Sequence, residues 1–186
     1  MIESQNFDTV VIGGGPAGAT ASALLAEKGL RVLVIEREKF PRYHIGESLL
    51  PFTCYPLKRL GLLETMRQLP FVKKYSVQFV SPSGKASQPF YFGSRYAPEV
   101  AQTWQVLRSE FDLMLLENAR AKGAAILEET VVRELIQEEG RTVGVRAQSK
   151  TGEALEFRAV FFVGFAQLLR YWVFGDFRTG NVPEHA

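Results

Sequence analysis

The sequence predicts an α/β fold in which a parallel strand, helix and strand unit is extended by antiparallel strands. Three observations carry that reading. Two apolar runs, Phe7–Ile12 and Leu30–Ile35, bracket a glycine-rich turn and a small-residue helix; a continuous apolar run is what a parallel strand covered on both faces shows. From Tyr75 the hydrophobic period shifts toward two, with turn residues between the runs, the pattern of strands with one covered face. A length of 186 residues, 46% hydrophobic and 23% charged, suits one folded domain with its own core.

The elements follow in order. Phe7–Ile12 ends at Gly13-Gly14-Gly15-Pro16-Ala17-Gly18, Ala19 to Lys28 reads as a helix stopped by Gly29, and Leu30–Ile35 ends at Glu36, together a βαβ unit. Residues 37–47 hold Arg, Lys, Pro and Gly and read as a loop, followed by a helix from about Ser48 to Gly61 and a short one over Glu64–Gln68. Tyr75–Val80 and Ala86–Phe92 flank Ser81-Pro82-Ser83-Gly84 as a hairpin, and Thr103–Leu107 is a further strand. Ser109 is placed to cap a helix whose Phe111, Met114, Leu115 and Ala119 fall at core spacing until Gly123. Strands at about 130–138, 142–149 and 153–163 are joined by turns at Glu139-Gly140-Arg141 and Lys150-Thr151-Gly152.

Composition excludes several function classes. A formal charge of +2, scattered along the chain, falls far short of the basic footprint that holds nucleic acid. Cys54 is the only cysteine, and His44 and His185 are the only histidines, so no intrachain disulfide forms and no metal site is expected. A reducing, cytoplasmic compartment fits. The N-terminus lacks a basic stretch of the export type, and the longest apolar run, Ala159–Phe174, is broken by Gly164, Gln167 and Arg170, so no membrane-spanning helix is expected.

The chemistry concentrates at Gly13-x-Gly15-x-x-Gly18, between a strand and a helix, with Glu36 ending the next strand. Gly13 permits the tight turn, Gly15 lets a pyrophosphate approach the backbone, and Gly18 lets helix and strand pack closely. The helix N-terminus stabilises the phosphates. Glu36 stands where a carboxylate accepts hydrogen bonds from adenosine ribose hydroxyls, and a 2′-phosphate would be repelled there. The pattern is that of a dinucleotide-binding unit.

These residues, continued by Glu36-Arg37, Phe40-Pro41-Arg42 and His44-Ile45-Gly46-Glu47-Ser48-Leu49, resemble the opening of flavin-dependent halogenases. They are also similar to FAD-dependent aromatic monooxygenases and geranylgeranyl-reductase-like oxidoreductases. The Gly-Glu-Ser-Leu segment after Phe-Pro-Arg narrows the resemblance toward the halogenase-like branch, and the match covers roughly Phe7 to Val163. It implies a Rossmann-like FAD-binding fold of the two-dinucleotide-binding-domain flavoprotein type, incomplete here, with added antiparallel strands. Residues 1–163 would be the FAD-binding portion, including part of a substrate-side sheet at about 70–105. The resemblance assigns FAD contacts to Gly13, Gly15, Pro16, Ala17, Gly18, Glu36, Arg37 and Arg42. It adds Gly46, Glu47 and Ser48 in a strap beside the flavin, and Arg108 at the end of Trp104-Gln105-Val106-Leu107-Arg108.

Phe71-Val72-Lys73-Lys74-Tyr75-Ser76 resembles the halogenase segment whose lysine handles the oxidised halogen species, and Lys74 is the matching position, with Ser76 where the family often has glycine. Such a lysine needs partial burial so that its ammonium can polarise the electrophile in a dry pocket. From the residues alone, two adjacent lysines before a strand are also an ordinary solvated surface. His44 falls in the strap region as a structural hydrogen-bonding group, and Cys54 reads as a buried, inert thiol. Trp104 and Phe71 read as core or as walls of a substrate pocket, and Glu110 and Asp112 as acids favouring a helix dipole.

The resemblance breaks after Ala159-Val160-Phe161-Phe162-Val163. The family continues Asp-Ala-Ser-Gly, and this chain reads Gly164-Phe165-Ala166-Gln167. Residues 164–186 form a divergent tail, with Leu169–Phe177 faintly similar to a later family strand; an internal deletion or a frameshift would account for the junction. Strands 142–149 and 153–163 are then expected to lose covering neighbours and expose apolar surface and edges.

Three readings follow. The first is the N-terminal part of a flavin-dependent halogenase-like oxidoreductase acting on an electron-rich aromatic substrate, free or carrier-tethered, and supplied with electrons by a separate flavin reductase. The second is an FAD-dependent aromatic hydroxylase, in which Lys74 has no chemical part. The third is a catalytically inactive dinucleotide-binding fragment.

Overall fold

A computed structural model describes residues 5–164. The expectations for Phe165 and beyond, including the similarity at Leu169–Phe177, lie outside the described residues. The chain divides into two compact units, one built from the chain up to Phe40 and from Met114 onward, the other from Pro41–Leu113.

In the first unit, β1 (Gln5–Ile12) leads through the glycine turn into α1 (Pro16–Glu27) and then β2 (Val32–Ile35). The second unit holds a 3-10 turn at Pro51–Thr53, α2 (Cys54–Leu60), α3 (Leu63–Gln68), and four short strands: β3 (Val72–Lys74), β4 (Ser76–Val77), β5 (Phe90–Tyr91) and β6 (Thr103–Gln105). The helix α4 (Arg108–Ala121) returns the chain to β7 (Ala125–Leu127), β8 (Thr130–Glu138), β9 (Arg141–Ser149) and β10 (Ala154–Gly164).

The first unit is organised by a six-stranded sheet in the order β7-β2-β1-β10-β9-β8. β7, β2, β1 and β10 run parallel, while β10, β9 and β8 pair antiparallel. Val10 and Val11 are fully buried and Val32 to Ile35 nearly so, which is why these segments read as unbroken apolar runs. Val10, Leu33, Ile35, Val132, Val145, Ala147 and Phe157 form the core on one face. The turn into β9 needs left-handed backbone, supplied by Gly140 at φ 74° and by Glu139 at φ 51°.

Several expectations are corrected. α1 begins at Pro16 rather than Ala19, because proline at the first helical position carries no N–H to leave unpaired. No helix starts at Ser48: Pro51 holds Leu50 extended at φ −82°, ψ 151°, and Ser48 instead bridges Gln105 in antiparallel fashion. Ser109 is not a cap, since the Leu107 carbonyl already accepts the Phe111 amide at 3.0 Å and places Ser109 inside the first turn. The hairpin forms in fragments, with β4 on β5 and a separate bridge from Val80 to Ala86. β3 and β7 were not anticipated; each is three residues long, too short for periodicity to register.

Among the described residues the sheet order ends at β7 and β8; β10 is flanked by β9 over Ala154–Arg158 and by β1 over Phe157–Gly164. Within β9 and β10 the exposed large apolar side chains are Val160, at 72%, and Phe161, at 64%. Among the described residues no helix is long and apolar enough to cross a membrane.

Candidate functional site

In the first unit the glycine turn is built from the backbone outward. The Gly13 amide donates to Ile35 O at 2.9 Å as β1 ends, and Gly13 adopts φ 103°, a conformation that favours glycine. Gly15 precedes the helix at φ −66°, ψ −177°, and Pro16 opens it with Ala17 exposed. A Cβ on Gly18 would meet the Gly13 carbonyl oxygen at 1.9 Å, so glycine alone allows strand and helix to approach this closely. No side chain caps α1 and no acid lies in its first turn, the condition under which a helix N-terminus takes an anion.

Glu36 closes the same turn. It is 5% exposed, its Oε2 accepts the Gly14 amide at 2.7 Å, and its Oε1 accepts the Glu38 amide at 3.0 Å. These two backbone donors hold the carboxylate in place at the end of β2. The anion-ready helix start, the close Gly13–Gly18 contact and the anchored acid together fit the pyrophosphate and adenosine ribose of a dinucleotide. Arg37 is exposed and pairs with neighbouring Glu38 at 3.5 Å, a contact of small energetic weight.

In the second unit a loop runs from Pro41 through Leu49. Its Gly46 adopts φ 101°. The Glu47 carbonyl accepts the Val106 amide at 2.8 Å, and the Leu49 amide donates to Trp104 O at 3.0 Å, which lays the segment along β6. The Glu47 carboxylate accepts a long contact from Gln105 Nε2 at 3.4 Å. The Lys74 ammonium, half-buried, donates to Ser48 Oγ and, at 3.5 Å, to Leu49 O. β3 places it there, because Lys74 pairs with Thr103 while Lys73 pairs with Trp104 on the opposite face and stays exposed.

Arg108 and Arg42 meet at Asp112. Asp112 is fully buried and accepts Arg108 Nε at 2.7 Å and Nη2 at 2.8 Å, with Arg42 Nη1 at 3.5 Å. The third Arg108 nitrogen, Nη1, donates to Ile45 O at 2.8 Å. The part assigned to Asp112 as an acid serving the helix dipole is thereby corrected: it is the shared counter-ion of two arginines. The signal was present in the sequence. Asp112 lies three, four and seven residues before Leu115, Leu116 and Ala119 on the buried face of α4, where a carboxylate must be paired, and Arg108 stands one helical turn upstream.

Of the remaining residues, His44 is exposed. Cys54 is 5% exposed, and burial, then the nearby Glu99 charge, pushes its thiol up, as an inert thiol requires. Trp104 and Phe71 are core, at 4% and 8% exposed.

Comparison with known proteins agrees with this geometry. Residues 6–165 match the FAD binding domain family. The chain is 39% identical over 144 residues to a 1H-pyrrole-2-carbonyl peptidyl-carrier-protein brominase of Pseudoalteromonas luteoviolacea, covering 77% of this chain and 34% of that protein. The solved structure of the myxobacterial chondrochloren halogenase, described as a variant of FAD-dependent halogenases, superposes with a TM-score of 0.80 at 38% identity, covering 86% of this chain and 37% of the other. A flavoprotein/dehydrogenase from Cytophaga hutchinsonii superposes at 0.81 with 31% identity, over 92% and 42% of the two chains. The chain thus spans about a third of the length of the brominase. With its glycine cradle, its anchored acid and its halogenase-like sequence, this chain belongs to the FAD-binding domain family, and FAD is its cofactor.

Proposed function

We propose that the chain is the FAD-binding part of an oxidoreductase that halogenates an electron-rich aromatic ring, with Lys74 as the catalytic residue that delivers the halogen. The carrying observation is the placement of the Lys74 ammonium on Ser48 Oγ and Leu49 O, within the segment that the family resemblance sets beside the flavin. Reduced FAD, when bound, would supply the oxidising chemistry, with dioxygen as the oxidant that takes the halide to the electrophilic level. Gly13, Gly15, Pro16, Ala17 and Gly18 bind the pyrophosphate, Glu36 the adenosine ribose, and Arg37 contributes at the same end. Arg42, Gly46, Glu47, Ser48 and Arg108 serve the remainder of the cofactor. Lys74, half-buried and already oriented by two oxygen acceptors, holds a proton that polarises the electrophilic halogen toward the ring.

In this reading residues 70–105 supply the substrate-side strands. A pyrrole is the first substrate to test, because the brominase relative acts on a pyrrole carried by a peptidyl carrier protein; a separate flavin reductase is the proposed electron donor. Purified chain is incubated with FAD, a flavin reductase, NADH, bromide and pyrrole-2-carboxylate as free acid or carrier thioester, and products are weighed by mass spectrometry. Bromide incorporation that Lys74→Ala abolishes while FAD binding stays within about twofold supports the proposal. Oxygen incorporation that ignores both bromide and Lys74 makes the chain a hydroxylase, and FAD binding with no product makes it a binding module.

A further inference from the structure

We propose that Asp112 is a positioning residue that sets the Ile45–Gly46 turn through Arg108; the consequence for flavin rests on the reading above. The turn has little burial to hold it. Tyr43 is 78% and Ile45 77% exposed, and His44 is exposed as well. A segment with so few packed side chains keeps its shape through main-chain hydrogen bonds. Glu47 O and Leu49 N are tied to β6; upstream, Arg42 pairs with Asp112 at 3.5 Å, and the Ile45–Gly46 turn itself is met by Arg108 Nη1, 2.8 Å from Ile45 O and 3.5 Å from Gly46 O.

Arg108 can act as a fixed donor only if its own plane is fixed. Asp112 does this with two oxygens: Oδ1 takes Nε at 2.7 Å and Oδ2 takes Nη2 at 2.8 Å, a bidentate fork that leaves the rigid guanidinium no freedom to swing Nη1. Gly46 is matched to that fixed nitrogen. A Cβ there would stand 3.1 Å from Nη1, and its φ of 101° is itself a glycine conformation. The full burial of Asp112 keeps water from competing for the fork. Charge alone would not serve: a lysine at 108 would neutralise Asp112 yet lack the planar third donor.

Asp112→Asn leaves one acceptor oxygen and sets an NH2 donor where the second stood, which breaks the two-oxygen fork, and Arg108→Lys keeps the charge while removing the fork; the second variant covers the case in which the first fails to fold. Two readouts separate positioning from general structure. Chymotrypsin cleavage after Tyr43 in the full chain without flavin is expected to accelerate at least fivefold in both variants, with other sites unchanged. FAD affinity is expected to fall at least fivefold while ADP, which needs the glycine cradle and Glu36 but not the Ile45–Gly46 turn, binds within twofold of wild type. Unchanged cleavage at Tyr43, cleavage rising evenly over the whole chain, or equal losses of FAD and ADP would each overturn the proposal. A wild-type chain that binds ADP but not FAD overturns the flavin reading, and the Tyr43 cleavage comparison still decides whether Asp112 holds the turn.

Discussion

The Glu36 carboxylate reaches back 22 residues to accept the buried Gly14 amide at 2.7 Å. The acid proposed to face the ribose is therefore also a brace of the glycine turn. Glu36→Gln, which keeps the shape and loses the charge, is expected to raise the dissociation constant for FAD about tenfold, or about 1.4 kcal/mol, as charge-assisted hydrogen bonds weaken. Quenching of flavin fluorescence on titration measures it. ADP affinity should fall in parallel, because both the ribose and the turn belong to that end.

Gly18→Ala sets two effects against each other. Alanine in a helix interior normally gains about 1 kcal/mol over glycine. Here the new Cβ would lie 1.9 Å from the Gly13 carbonyl oxygen, a backbone atom that cannot rotate away, and overpacking of this kind costs about 1–3 kcal/mol. The clash wins. Thermal unfolding should show a lower midpoint for the variant, and FAD binding should be lost together with the geometry of the turn; a stabilised variant would contradict the close approach.

Acid should loosen the first unit partly through Asp8. Hydrogen bonds from the Arg31 side chain and amide hold its carboxyl below the usual carboxylate range. A group with a depressed folded pKa stabilises the fold above its unfolded value, about 3.9, and that contribution disappears as pH falls through the folded value. In Asp8→Asn the melting temperature should lose less between pH 5 and pH 3 than in wild type, with a small effect because the pair is exposed.

Cys54 offers a check on packing. Burial and the Glu99 charge raise its pKa, which lowers the reactive thiolate fraction. An aromatic disulfide reagent at pH 8 should label the folded chain at least about tenfold more slowly than the chain in denaturant. Equal rates would place the thiol in solvent.

Legibility in the sequence tracked the range of the interaction. The βαβ unit, the glycine turn, and the strands at Thr130–Glu138, Arg141–Ser149 and Ala154–Gly164 were readable because period, turn residues and glycine spacing are local properties of the chain. The helix misplaced at Ser48 shows the limit: the single conformational restriction before Pro51 outweighed the apolar spacing around it. Asp112 shows another, for an acid near a helix start satisfies the dipole rule equally well whether it is solvated or buried between arginines.

What the sequence by itself determined is the set of groups at hand: a glycine turn between strand and helix, an acid ending the next strand, an arginine-bearing loop and a lysine matching the halogenase position. Only the tertiary structure decided which of these groups hold one another. Ser48 with Lys74, Arg108 with Ile45 and Asp112, and Glu36 with Gly14 are mostly pairings of distant residues, set by strand register and by the need to pair every buried charge. The physical reason is that periodicity reports which face of an element is covered, while the identity of the covering atoms depends on how far the chain travels before it returns.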